Sequence, residues 1–434
     1  MQQGRGLSPI AIDAGSVSLR SEQRDLVLEA GSRIVADGGA WRKANSHVQA
    51  GQAGSIDLRA QTHLAGVTPA SLVLNGSLQA WGLAQGGKLH LESNEVVIGS
   101  ASDLPPRAGT AKPLLLASGF FQQGGFADFD IVANRYGLKL ADHVQIDLQP
   151  RNRQLLASSG AAASGSKLVD VSREFSLPEY LRQPVSLNLS YAEIAEHSPG
   201  EHLSIGSGAA IRTGIGGSVT LNSSTSIFLN GTIDTPAGRI ALNIVNPPLI
   251  TGFNDAQGIW LGSESRLSAS GAYLHQPSAA GLLAGQVLAG GSVALAANRG
   301  YIVGKAGSQI DVSGSAALLN IAQLRNGRLT YARQSIASAG GSIELIAGEG
   351  ILADTALHAA SGGASAAGGS LAVTLDRGLR GKPEIPIAGS LFPDDRKPNQ
   401  PIGLKSPRPT PPTFRPVWRP AALSIRRYTA AEPY

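Results

Sequence analysis

The sequence predicts an all-β parallel solenoid, and three observations carry that expectation. The first is a repeat: Gly, a small residue, then apolar–polar–apolar, followed by a second apolar–polar–apolar run closed by Gly. It reads Gly54-Ser55-Ile56-Asp57-Leu58 and then Leu72-Val73-Leu74-Asn75-Gly76-Ser77-Leu78. It returns as Gly217-Ser218-Val219-Thr220-Leu221 and Ile227-Phe228-Leu229-Asn230-Gly231-Thr232-Ile233. Further openings stand at Gly15, Gly291, Gly341 and Gly369. A repeat of this length means stacked coils rather than one globular core. The second observation is composition. The chain of 434 residues holds 54 Gly but only 5% aromatics and 15% charged residues. That suits tight strands whose small and branched side chains form ladders, with glycines available for turns needing positive φ. The third is strict apolar–polar alternation, the period of a half-buried strand.

Taken in order, residues 1–100 carry regular units opening near Gly15, Gly54 and Gly87. Asn75-Gly76 and Asn230-Gly231 are turn dipeptides, read as corners between consecutive strands. Residues 101–200 are less regular and are read as an excursion packed against the side of the stack. They include Asp103–Arg107 and the cluster Phe120, Phe121 and Phe126. Strand character returns there at Phe129–Ala133 and Leu138–Leu148, while Ser172–Leu181 and Tyr191–His197 are read as short helices. Residues 201–270 are the most regular part. A second break covers 272–290. A third covers 315–335, where Leu318, Leu319, Ile321 and Leu324 fit one face of a short amphipathic helix. The stack resumes over Gly291–Ser313 and Gly340–Leu375. The repeat region thus spans 1–376. Residues 377–434 hold 12 of the 25 Pro and form a basic tail, read as extended or disordered. At about 20 residues per coil, some 15 coils would make a rod of about 70 Å.

Charge and residue usage narrow the function classes. The tail holds 11 Lys and Arg against 4 Asp and Glu; the body holds 25 against 27. A nearly neutral body argues against nucleic-acid binding. No Cys is present, so there is neither a disulfide framework nor a thiolate metal site. No run of about 18 apolar residues predicts a membrane span. No h-region follows Met1, so an exported protein would carry its leader on sequence outside this chain.

Few residues suggest chemistry. Polysaccharide-active enzymes need two or three carboxylates on adjacent coils, with a basic partner or calcium. Asp128 and Asp130 would point the same way on a strand, with Arg135 nearby, and a solvated strand face explains them better than a site. Asp394-Asp395 sits in the Pro-rich tail. The eight His show no metal-ligand spacing; His197 and His202 are closest, across a Pro-Gly turn. Gly82–Leu89 looks like a phosphate loop, but Leu89 replaces the hydroxyl residue that holds magnesium. Asn75, Asn222 and Asn230 head sequons that turn chemistry also explains. No cofactor or metal site is expected.

The spacing G-x-V-x-L, then I-x-L-x-G-x-I, resembles the repeats of filamentous haemagglutinin-like exoproteins, the secreted partners of two-partner secretion systems. The resemblance is carried by 54–80, 217–235 and 291–314, with Gly285–Val293 and Gln309–Gly314 in addition, and covers about residues 10–376. It implies a right-handed parallel β-helix, secretion or display at the cell surface, and adhesion. It also implies an outer-membrane two-partner transporter acting on the full-length protein. That family's secretion domain carries Asn-Pro-Asn-Leu; here Asn246-Pro247-Pro248-Leu249 departs at the third position and follows several repeats. The chain is therefore read as an internal or C-terminal part of such a protein. The expectation is a non-enzymatic adhesin segment, a stalk presenting the breaks at 101–200, 272–290 and 315–335 to a cell-surface glycan or protein receptor. Phe120, Phe121 and Phe126 are candidate contacts, with burial against the rod as the favoured fate. The alternative is a polysaccharide lyase or glycoside hydrolase on the same fold.

Overall fold

The computed structural model describes residues 12–375 except 44, 46, 63–68, 84, 105–111, 150, 164, 193–201 and 246–256. The Asn246–Leu249 motif, the tail at 377–434 and most of the expected helix Tyr191–His197 lie outside the described residues; Tyr191 itself ends a strand.

The chain winds as a parallel β-helix. Its first sheet has ten parallel strands in sequence order: Ser16–Ser21, Ser55–Ala60, Gly87–Ser93, Phe126–Ala133, Ser186–Tyr191, Ser218–Ser223, Arg239–Ile244, Ser292–Ala297, Ser342–Ala347 and Ser370–Leu375. A second sheet of eight strands and a third of six complete the coil. Ser218–Ser223, Ser226–Leu229 and Thr232–Asp234 form one coil without an excursion, and the next first-sheet strand opens at Arg239. Asn230-Gly231 makes the corner between its second and third strands, as Asn75-Gly76 does lower in the stack. The expectation of some 15 coils is corrected to ten first-sheet strands among the described residues, because hairpins inserted between strands consume chain without adding height.

Register explains the alternation. The inward column runs Ile56, Leu89, Phe129, Leu187, Val219, Ile240, Val293 and Ile343, one residue per coil. All are buried. Each such side chain withdrawn from water contributes about 1.5–3 kcal/mol. Residues 126–133, 138–148 and 186–191 belong to the stack, so the 101–200 region is a mixture of coil and insertion rather than one excursion.

The repeat glycine has a cause other than turn conformation. None of Gly15, Gly54, Gly87, Gly217, Gly238, Gly291, Gly341 or Gly369 has positive φ. They sit at the corner leading into the first sheet, one above another. A Cβ on Gly291 would lie 1.9 Å from the Gly238 carbonyl oxygen, and one on Gly341 1.9 Å from that of Gly291. Close backbone approach excludes a side chain there.

Among the described residues four antiparallel hairpins interrupt the coils. They are Ala40–Arg42 with Val48–Ala50, Asn152–Leu155 with Ser172–Phe175, Ala272–His275 with Gly285–Leu288, and Ala316–Arg325 with Arg328–Ala337. The expected helix at 315–335 is thereby corrected to a hairpin. Asn326 and Gly327 both have positive φ, +49° and +73°, as a type I′ turn requires. Ser172–Leu181 is likewise a strand and a single 3-10 turn, Glu179–Leu181, because Ser172–Phe175 pairs with Asn152–Leu155.

Candidate functional site

Two features outside the core concentrate chemistry, a polar ladder and a crest of hairpins. The ladder lies on the outer face of the first sheet. Alternation turns Asp57, His90, Asp130 and Asn188 outward, and the register stacks them at one position on successive strands. Two residues on, Arg20, Arg59 and Glu92 stack the same way.

Hydrogen bonds run along this face through seven coils. Arg20 and Arg59 donate to Asp57, at 3.2 and 2.7 Å. Gln61 and Asn134 donate to Glu92, at 2.6 and 3.0 Å. His90 Nδ1 lies 2.6 Å from an Asp130 oxygen, and His90 Nε2 3.8 Å from Glu92. Asn188 donates to Asp130 at 2.6 Å, Asn222 to Asn188 at 2.8 Å, and Asn243 to Asn222 at 2.9 Å.

The charges in this cluster are fixed. Burial works against the His90 cation, but its bonds to Asp130 and Glu92 outweigh that and raise its pKa to about 9. Burial also pushes Asp130 up, and the His90 contact more than reverses it, leaving the carboxyl below its ordinary range. Glu92 follows the same pattern through His90, Asn134 and Gln61, and Asp57 through Arg59 and Arg20. A general acid or base works best with a pKa near the working pH. Here the imidazolium and the carboxylates are each held away from it. The arrangement can bind and orient polar groups and can clamp coils together.

The sequence candidates fall out differently. Asp128 and Asp130 do share the outer face, Asp128 accepting from Ser186 at 2.8 Å. Arg135 stands past the end of the strand, stacked near Tyr136. Phe121 and Phe126 are buried, and Phe120 is half-buried against the same core. Phe121 and Phe126 pack edge-on against Phe129, with ring centroids 5.3 and 6.0 Å apart. The 3-10 turn Ser118–Gln122 lies against strand Gln145–Leu148, where the third sheet begins. The large rings fill the volume beside that interruption. His90, Glu92, Asp57 and Arg59 were not singled out from sequence. Their alternation was visible in Asp57-Leu58-Arg59 and His90-Leu91-Glu92, but which coils face each other was not.

The crest is built from the four hairpins. Each leaves the rod between a third-sheet strand, or its counterpart Arg33–Val35, and the next first-sheet strand, so all four project from one corner. They also touch along it. Arg42 donates to Ser159 at 3.1 Å. The Glu179–Leu181 turn meets Ala272–His275, which in turn meets Ala316–Arg325. Asn320 and Leu283 exchange two hydrogen bonds, of 2.8 and 2.6 Å.

Among the described residues no three His, Asp or Glu converge as a metal-binding set, and no helix is long and apolar enough to cross a membrane. Compared with family models, curated proteins and solved structures, the chain matches none of them.

Proposed function

We infer that the chain is a non-enzymatic adhesin segment, a β-helical stalk carrying its contact surface as a crest along one corner. The reading extends the sequence resemblance to filamentous haemagglutinin-like exoproteins. It places the protein outside the cell or at the bacterial surface, with export of the full-length protein through a two-partner transporter and a cell-surface glycan or protein as receptor. The observation that carries it is the crest. Insertions scattered along the sequence from 40 to 337 all emerge at one corner and pack on one another. Insertions serving only as spacers need share no corner, whereas a binding face requires it.

The test is attachment. The chain displayed on a non-adherent bacterium should confer binding to host cells or matrix, and replacing 315–335 by a short Gly-rich turn should reduce it. Unchanged binding after that replacement removes this hairpin from the contact face.

A second reading, a polysaccharide-active enzyme, is favoured by one observation, the His90–Asp130 pair at 2.6 Å on an exposed sheet face. The locked charges weigh against it. Turnover of an acidic polysaccharide that is abolished by Asp128→Ala or Asp130→Asn would establish it over the adhesin reading.

A further inference from the structure

The hairpin Ala316–Arg325 with Arg328–Ala337 has the longest strands of the four, ten residues each. Its two faces differ. One carries Leu319, which is buried. The other carries Leu318 opposite Ser335, Ala322 opposite Tyr331 and Leu324 opposite Leu329. Leu324 and Leu329 form the pair just behind the turn-closing pair Arg325 and Arg328 and are 74% and 61% exposed. Tyr331 and Leu318 behind them are 48% and 58% exposed. A monomer gains nothing by holding four large apolar side chains in water on one strip.

The charges around the strip have one sign. Arg325 and Arg328 form the outermost pair, on the face opposite the strip, Arg333 lies on the strip's own face opposite Asn320, and no salt bridge joins any of the three to an acid among the described residues. From Arg266 to Ile343 the sequence holds six Lys and Arg and one acid, Asp311. Neither the 272–288 hairpin nor the 316–337 hairpin contains an Asp or Glu.

We propose that the apolar face of this hairpin docks onto the surface of an anionic lipid bilayer, with Leu324 and Leu329 entering the acyl boundary and Arg333, together with Arg325 and Arg328 at the turn, drawn to the lipid phosphates. An apolar strip laid flat on the bilayer loses its water there, while Arg333 on the same face and the long side chains of Arg325 and Arg328 at the turn reach the phosphates at its rim. A negatively charged membrane surface attracts clustered Arg within a Debye length. A sulfated glycan would pair with the arginines and leave the leucines wet, so the joint placement of both favours lipid. The inference rests on the crest being the contact face and names what this part of it contacts.

The experiment is flotation of the full chain with two kinds of vesicle, pure phosphatidylcholine and phosphatidylcholine with 30% phosphatidylglycerol, at about 0.1 M salt. The expected result is capture by the phosphatidylglycerol vesicles at least about tenfold above the neutral ones. Leu324→Asp with Leu329→Asp, and separately Arg325→Glu with Arg328→Glu, should each lower capture about tenfold without changing the melting temperature, since all four side chains are exposed. Equal capture by both vesicles, no capture by either, capture unaffected by both variants, or heparin binding in its place overturns the proposal. Cell attachment lost on replacing 315–335 but retained in both variants leaves the crest reading standing and removes the lipid contact.

Discussion

Gly15 and Gly291 hold the same place in the repeat but not the same surroundings. A Cβ on Gly15 meets nothing within 4 Å, while one on Gly291 lies on the Gly238 carbonyl. Gly15→Ala should therefore leave the melting temperature unchanged. Gly291→Ala should cost about 2–4 kcal/mol, since backbone must move to admit a methyl group. Thermal unfolding of the two variants side by side checks this; equal losses would mean that the glycines serve conformation rather than approach. His90 gives a second residue-scale prediction. Its pKa is raised from 6.5 to about 9, so its contribution to stability is complete below pH 6.5 and is lost as pH rises through 9. Asp57, Glu92 and Asp130 are lowered, so theirs is complete above their ordinary values and is lost as pH falls below them. The urea midpoint should be level from about pH 5 to 6.5 and fall toward pH 9.5. His90→Gln should be less stable at pH 6.5 and lose most of that alkaline fall; an unchanged fall would assign it to other groups.

At the scale of elements, the hairpins and the coils should separate energetically. Hairpin 316–337 buries Leu319 and little else, whereas each coil adds to the central columns. Replacing 317–336 by a short turn should change the melting temperature by no more than a few degrees. Deleting the coil 218–238 should unfold its neighbours. Circular dichroism on both proteins tests the contrast, and unfolding of the hairpin deletion would show that the crest is part of the core. This is also the scale at which sequence was least sufficient. The regular strands of 201–270 were legible because each apolar–polar alternation reports its own burial. The helix expected at 315–335 was not formed, and Asn326-Gly327 was the overlooked signal, since that dipeptide between apolar runs favours a hairpin turn. Phe121 and Phe126 were legible as an aromatic cluster but not as core, because the interruption of the third sheet that they fill is a tertiary fact. The ladder at His90 and Asp130 was invisible for the same reason. Forty residues separate the two in sequence, and only the register brings them to one position.

At the scale of the molecule, the stacked coils form a short rod with one decorated corner. Ten first-sheet strands span nine spacings, about 43 Å at the parallel-strand distance. The last strand, Ser370–Leu375, leaves Leu371, Val373 and Leu375 exposed along its inward column. The ladder and the crest both depend on the order in which coils are stacked. The absence of cysteine makes that order directly measurable. Ser55 and Ser342 both face outward on the first sheet, seven strands apart along the register. Spin labels on Ser55→Cys and Ser342→Cys, read by pulsed electron–electron resonance, should give one narrow distance near 34 Å, seven spacings of about 4.8 Å. A distance beyond about 45 Å, or a broad distribution, would contradict the stack and with it the shared corner on which the proposed function rests.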